Sequence, residues 1–448
     1  MGQNNLKQTP RYLALELLTK IEQQGTYSNL GLNQILQQTK LTRRDANLLT
    51  NLVYGVLQHR LTLEYYLEPY INKAKKIDPW VKQLLLLALY QLEYLDKIPK
   101  RAIFYETIEI AKVKGHGGVR KFVTGILHEI ERQGLRNPAQ IKDDVARLSV
   151  TSSTPEWLVK QLIEEVGLSK TQSILATINQ NPKQSVRINL EKTTKAALLE
   201  ELRASQIEFQ ESLVTPQALR LENVFIPETS FYRTGKISIQ DESAMLAVEA
   251  LNPQPNDVVL DACAAPGGKT LQIATALKQG HVVALDIHPH KVALIEQNAS
   301  RSAVKEKVKA LALDARQVQT KFKEATFDKI LVDAPCSGIG LIRRKPEVKY
   351  AKTLADSQNL QRIQGQILDA VAPTLKQGGL LTYSTCTILQ GENQGVITAF
   401  LQRHPEFEQL TTTTLNNLKA KRTAKALTIY PDDYLTDGFF IATLRKKK

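Results

Sequence analysis

Phe327–Gly340 reads FDKILVDAPCSGIG. Ile330, Leu331 and Val332 form the short apolar run of a buried strand, and the run ends in Asp333-Ala334-Pro335-Cys336-Ser337-Gly338, whose proline and glycine forbid the strand from continuing. A carboxylate and a thiol therefore stand where a strand hands over to a loop. In an open α/β sheet that carboxyl edge is where ligands bind. A lone cysteine after a core strand is ordinarily packing, so the reading depends on the surrounding sequence.

Outward from this stretch, residues from Asn256 onward repeat strand, loop and helix. VVLDA (258–262) precedes a glycine loop and the helical pattern KTLQIATAL (269–277). VVALDI (282–287) precedes HKVALIEQNASR (290–301), and VKALALDA (308–315) and KILVDAP (329–335) follow. A long helix through LQRIQGQILDAVAPTL (360–375) is expected to end at Gly378-Gly379, which resets the chain for the strand LLTYSTCT (380–387). FFIATLR (439–445) closes the sheet and Arg445–Lys448 reads as a basic tail. Parallel strands with helical crossovers predict a doubly wound, Rossmann-like α/β domain over residues 241–448.

The first 135 residues have a different period. RYLALELLTKIEQQ (11–24), NLGLNQILQQ (29–38), the long run 43–71, WVKQLLLLALYQLEYL (80–95), AIFYETIEIAKVKG (102–115) and GVRKFVTGILHEIERQ (118–133) all carry apolar residues at helical spacing. They predict an all-α domain over 1–135. Residues 136–150, with Asn137-Pro138 and little periodicity, read as a linker. Ser153-Thr154-Pro155 starts a helix, and SVRINL (185–190) and ALRLENV (218–224) alternate as half-exposed strands do, so 151–240 reads as a small α/β module.

At 448 residues the chain is too long for one core. Charged residues make up 23% and hydrophobic ones 42%, which excludes a disordered chain. The net charge of +14 favours a polyanionic partner such as nucleic acid. Three separated cysteines, Cys263, Cys336 and Cys386, with no CxxC pair, argue against disulfides and zinc and for a reducing cytoplasm. The opening MGQNNLKQTPRY has no apolar core and no eighteen-residue apolar run follows, so neither a signal peptide nor a membrane span is expected.

Asp261-Ala262-Cys263-Ala264-Ala265-Pro266-Gly267-Gly268-Lys269-Thr270 lies between the first strand and first helix of the last domain. Its glycines let backbone approach a ligand, and the helix start offers free N–H groups. The spacing matches neither a P-loop nor G-x-G-x-x-G, which disfavours phosphate binding. Asp286, ending the second strand, is placed to bond a ribose diol, and Asp314, ending the third, to accept from an adenine amine or to cap the next helix. Together these carboxylates describe a nucleoside pocket. His288 and His290 flank Pro289 and read as surface residues, not metal ligands.

The combination DACAAPGGKT, ALDIHPHK, FDKILVDAPCSGIG and LLTYSTCT resembles the Nop/Sun family of RNA cytosine-C5 methyltransferases, and the helical region resembles a NusB-type RNA-binding domain. The likeness extends through Ser153-Thr154-Pro155-Glu156-Trp157, Gln240-Asp241-Glu242-Ser243 and Asp437-Gly438-Phe439-Phe440. It implies a class I methyltransferase domain using S-adenosyl-L-methionine, held by Cys263, Ala264, Ala265, Pro266, Gly267, Gly268, Lys269, Asp286, Asp314 and Asp333. The order of modules implies 16S rRNA, free or in an early assembly state, as partner, with no membrane or metal. The resemblance further assigns Cys386 as the nucleophile and Cys336 to release of the product.

The reaction explains why two thiols are wanted. Carbon 5 of cytosine is a poor nucleophile, so a thiolate first adds to carbon 6 and makes carbon 5 an enamine carbon able to take a methyl group. Asp333 is the candidate to serve ring nitrogen 3 and the exocyclic amine, with a raised pKa if it must donate. Lys269 would meet the cofactor or steady that carboxylate, while Cys263 has the better claim to be packing. Arg343, Arg344 and Lys345 are expected to hold phosphates beside a flipped cytosine, with Lys349 and Tyr350 extending that surface. The same reaction on tRNA, and a non-catalytic RNA-binding or ribosome assembly factor, are the competing readings.

Overall fold

The computed structural model describes residues 6–25, 27–72 and 77–448; residues 1–5, part of the opening read for a signal peptide, lie outside them. The chain divides into two units: Met1–Asn179 with Ile342–Ala351, and Gln180–Leu341 with Lys352–Lys448.

The first unit is helical. Thr9 accepts from Tyr12 N at 3.4 Å and Pro10 takes the first turn of Pro10–Gln24, which Gly25 ends in the left-handed region at φ 64°. The long run 43–71 forms two helices, Arg43–Gln58 and Arg60–Ile71, because His59 between them has non-helical angles. Leu84 to Leu89 are all buried, so the middle of Pro79–Tyr94 is enclosed on every side within this unit. The expected linker instead carries a helix, Asp144–Ser152, capped by Asp143, whose carboxylate accepts from Ala146 N at 2.7 Å. The helical stretch Glu156–Thr177, kinked at Gly167, packs with this unit.

Ile342–Ala351 completes the helical unit. Glu347 accepts from Ser28 N and Ser28 Oγ at 3.2 and 2.9 Å. Lys349 Nζ donates to Gln58 O at 2.9 Å and to Asn179 Oδ1 at 3.0 Å, and Tyr350 OH donates to Ser153 O at 3.0 Å.

The second unit holds two sheets. The smaller has β1 (Ser185–Ile188), β2 (Phe209–Glu211), β3 (Ala218–Leu221) and β4 (Ile237–Ile239) in the order β2-β3-β1-β4, all antiparallel. Leu198 and Leu202 of helix Lys195–Ala204 join its core with Val186, Leu219 and Ile237.

The larger sheet comprises β5 (Val258–Asp261), β6 (His281–Asp286), β7 (Val308–Ala312), β8 (Phe327–Asp333), β9 (Leu375–Thr385), β10 (Phe407–Leu410), β11 (Leu427–Ile429) and β12 (Phe439–Lys446). Its order is β10-β12-β9-β8-β5-β6-β7, with β11 on β12; β5 to β9 run parallel and β12 pairs antiparallel with its neighbours. After β5 the chain lays down β6 and β7 on one side, then returns to place β8 on the other. That reversal opens a crevice at the carboxyl ends of β5 and β8.

Two expectations shift here. The long helix, Leu354–Val371, ends before Gly378-Gly379, and the glycine pair lies inside β9, where the register slips between Phe327–Leu375 and Lys329–Leu380 and Gly378 has φ 74°. Arg445 and Lys446 are not tail but strand, opposite Glu408 and Phe407. No helix among the described residues is long and apolar enough to cross a membrane.

Candidate active site

Every strand from β5 to β9 ends in a residue singled out by sequence, or runs into one: Asp261, Asp286, Asp314, Asp333 and Cys386. The convergence is chemical as well as topological. Burial pushes the Cys263 thiol well above its ordinary range, and the charges of Asp261, Asp333, Asp286 and Asp314 push it further, so four carboxylates lie within electrostatic reach of one sulfur. Such a thiol stays protonated and is poorly nucleophilic, in keeping with a packing role.

The loop after β5 is tied at several points. Ala262 N donates to Leu331 O at 2.9 Å, Ala264 N to Leu285 O at 2.8 Å and Gly267 N to Ala264 O at 2.7 Å. Gly267 has φ 104°, which L side chains rarely adopt, and a Cβ there would stand 3.4 Å from Ile295 Cα. The following helix, Gly268–Ala276, presents first-turn N–H groups that lack intrahelical acceptors. A tight glycine turn, free N–H groups and the half-buried Asp286 at the next strand end fit the amino-acid and ribose ends of a nucleoside cofactor. Asp286 Oδ1 already accepts from His288 N at 2.9 Å. Asp314 accepts from Arg316 N at 2.9 Å and Arg316 Nη2 at 2.6 Å, bonds that hold its carboxyl below the usual range and make it a helix cap as well.

Asp261 is fully buried. Oδ2 accepts from Thr270 Oγ1 at 2.7 Å, while Oδ1 has no partner. Burial raises its pKa to about 7 against the Thr270 bond, with the Asp333 charge adding to the rise.

Asp333 accepts on both oxygens, from Lys269 Nζ at 2.8 Å and from Ser384 Oγ at 2.8 Å, the bonding of a carboxylate. Burial pulls the Lys269 ammonium down, but the charge and hydrogen bond of Asp333 outweigh it and hold the lysine above its usual range. The Cys386 sulfur contributes to the same hold, which places Lys269 within electrostatic reach of both groups. The Phe439 ring lies 4.9 Å from Lys269 Nζ.

Cys336 and Cys386 come together, their sulfurs 3.4 Å apart. The contact with Cys386, then burial, pushes the Cys336 thiol well up. The two loops are stitched by Gly340 N donating to Cys386 O at 2.9 Å and by the Ser337 and Thr387 hydroxyls at 2.9 Å. Behind them Glu392, with no exposed surface, accepts from Ser337 N at 2.8 Å, Ser357 Oγ at 2.9 Å and Gln364 Nε2 at 3.0 Å. Gln364 Nε2 also donates to Pro335 O at 2.9 Å.

Ser384, Gln364 and Glu392 escaped the sequence reading. Ser384 carried a signal, two residues before Cys386 on one strand and so near the same edge. Gln364 and Glu392 carried none, because a polar residue in a helix or turn reads as solvated. The basic cluster is only partly where it was expected. Arg343 is 2% exposed, which leaves only the half-buried Arg344 and Lys345 of the three at the surface. Lys349 is wholly buried and Tyr350 bonds inside the helical unit, so neither extends an RNA-facing surface. His288 and His290 are exposed, and among the described residues no group of three or more His, Cys, Asp or Glu could hold a metal ion.

Comparison with known proteins matches three family models in chain order. They are the NusB family over residues 8–132, the ferredoxin-like domain of RsmF/B-like methyltransferases over 154–225, and 16S rRNA methyltransferase RsmB/F over 248–445. The probable ribosomal RNA small subunit methyltransferase B of Bacillus subtilis is 45% identical over 98% of this chain and 99% of its own length. Its counterpart in Synechocystis is 33% identical over 97% and 99%. Among solved structures, a methyltransferase homologue from Pyrococcus horikoshii is 26% identical over 68% of this chain and all of its own, with a TM-score of 0.59. NSun6 from the same organism, with SFG, shares the fold at 22% identity over 66% of this chain and 98% of its own, with a TM-score of 0.58. Domain order, the strand-end site and whole-length identity agree: the chain belongs to the RsmB/F family of S-adenosylmethionine-dependent 16S rRNA methyltransferases.

Proposed function

We propose that the protein methylates carbon 5 of a cytosine in 16S rRNA through a covalent cysteine–cytosine adduct. The observation that carries this reading is the pair of sulfurs 3.4 Å apart beside the Lys269–Asp333 ion pair. Methylation of an exocyclic amine needs no thiol, whereas carbon methylation needs one to add at carbon 6.

Cys386 attacks carbon 6, with Lys269 as cationic neighbour to the sulfur. Asp333, already an acceptor on both oxygens, takes a hydrogen bond from the exocyclic amine in place of the Ser384 hydroxyl and so orients the ring. S-adenosylmethionine supplies the electrophilic methyl group. Cys263, Ala264, Ala265, Pro266, Gly267, Gly268, Lys269, Asp286 and Asp314 form its pocket, with Asp333 at the boundary between donor and base. After transfer Cys336, kept protonated by its surroundings and 3.4 Å from the leaving sulfur, gives its proton to Cys386 as the carbon 6–sulfur bond breaks, and the thiolate so formed takes the proton lost from carbon 5. Arg344 and Lys345 hold phosphates of the RNA. The three cysteines are free, a state that a reducing cytoplasm maintains. Incubation with labelled S-adenosylmethionine and undermodified small-subunit RNA is expected to give labelled 5-methylcytosine at one bisulfite-resistant position. Label confined to an amino group would overturn the reading.

A further inference from the structure

Behind the donor loop lies a buried cation that the reaction does not use. Arg187 sits on β1, between β3 and β4, and is 3% exposed. Its Nε donates to Gln240 Oε1 at 2.9 Å and its Nη2 to Gly268 O at 3.5 Å. Neither acceptor is a carboxylate. Burial, then the charge of Arg301, lowers its pKa to about 10. A buried guanidinium met only by neutral oxygens is costly, and a core position in a small sheet does not require it.

A second arm reaches the same loop. Asn298 Nδ2 donates to Pro266 O at 3.1 Å, and Arg301 holds Asn298 by donating from Nη2 to Oδ1 at 3.3 Å. Arg301 is itself fixed, donating from Nη1 to Tyr232 O at 2.9 Å with its guanidinium over the Tyr232 ring. The two arms grip the carbonyls on either side of Gly267. Because the peptide is planar and trans, fixing the Gly268 carbonyl behind the loop also fixes the direction of the Lys269 N–H in front. Gln240, which receives Arg187, packs 3.8 Å from the position of a Cβ on Gly268 and donates onward to Gln272 Oε1 at 3.2 Å.

We infer that Arg187, with the Asn298–Arg301 pair, positions the Pro266–Lys269 backbone for the methyl donor, so the small four-stranded module is part of the donor site. The guanidinium charges of Arg187 and Arg301 also favour the anionic carboxylate of the donor's amino-acid end. The inference rests on S-adenosylmethionine occupying this loop. Arg187 is a positioning residue: it acts through Gly268 and touches no reacting atom.

The test is calorimetric titration of S-adenosylhomocysteine into the full-length protein and its Arg187→Met, Arg187→Lys and Asn298→Ala variants, with thermal melting alongside. Arg187→Met is expected to weaken binding about tenfold, or 1.4 kcal/mol, with kcat at saturating donor nearly unchanged and no loss of melting temperature in proportion. Arg187→Lys should recover part of the affinity. A merely structural arginine would lower the melting temperature and leave the Kd alone. If Arg187→Met does not fold, Asn298→Ala carries the test, with a rise in Kd of several-fold expected. Tight wild-type binding with unchanged affinity in the folded variants overturns the inference alone; no binding by the wild type overturns the donor assignment and the inference with it.

Discussion

Replacing Glu392 with alanine is expected to damage the catalytic loop more than its distance from the chemistry suggests. The carboxylate has no exposed surface and is the shared acceptor for Ser337 N, Ser357 Oγ and Gln364 Nε2 at 2.8, 2.9 and 3.0 Å. Glu392→Ala strands Ser337 N and Ser357 Oγ in a place water does not reach, at about 1–3 kcal/mol each, while Gln364 Nε2 keeps Pro335 O, so a loss of roughly 2–6 kcal/mol is expected. Glu392→Gln differs in kind. Its amide oxygen can keep Ser337 and Gln364 while its NH2 donates to the Ser357 hydroxyl, so only the charge assistance of the bonds is lost, about 1 kcal/mol. Urea unfolding of the three proteins measures the stabilities, and single-turnover kinetics measures the loop. Because Ser337 N is the bond that fixes the residue after Cys336, the alanine variant should slow product release and accumulate RNA adduct. An alanine variant as stable as the wild type, with turnover within about twofold, would refute the reasoning.

Other expectations follow from the same geometry. Burial lowers the pKa of Lys349 from 10.5 to about 7. Below pH 7 folded and unfolded chains both carry the proton and the burial penalty is complete; between 7 and 10.5 only the unfolded chain holds it, so stability rises with pH. Measured against Lys349→Met, the wild type should gain roughly 4 kcal/mol between about pH 6.5 and pH 10; a difference flat in pH contradicts the burial argument. Gly340→Ala would put a Cβ 2.1 Å from Gly438 O and 2.8 Å from Cys386 O. It should cost stability and most of the turnover, which melting and a methyl-transfer assay will register; wild-type values in both would show that the loops part easily.

The sequence disclosed most of the larger sheet, for a physical reason. Each of β5 to β8 is a short apolar run closed by an Asp, Gly or Pro, and a doubly wound sheet puts the ends of such runs at one edge. β10 and β11 were missed because FEQL and LTI are pieces of four and three residues at the antiparallel side, too short to show a period. Gly378-Gly379 read as a helix stop because glycine serves bulges and caps alike. Residues 144–150 read as linker because a short helix of mean polarity is fixed by its cap and its neighbours rather than by a stripe. The thiols and carboxylates that the structure brings to one edge were legible because such groups at strand ends are scarce. Their supports were not: Glu392 and Arg187 look like any turn and strand residue until burial shows what they hold. Lys349 illustrates the opposite error, a charge near the chemistry that turns inward to backbone and amide oxygens.

The most direct test of the central claim is denaturing electrophoresis of the protein mixed with undermodified 16S rRNA and S-adenosylmethionine. A covalent RNA–protein band should accumulate in Cys336→Ala and be absent from Cys386→Ala and from the double variant. A band that survives loss of Cys386 and vanishes with loss of Cys336 would contradict the assignment of the bond-forming sulfur.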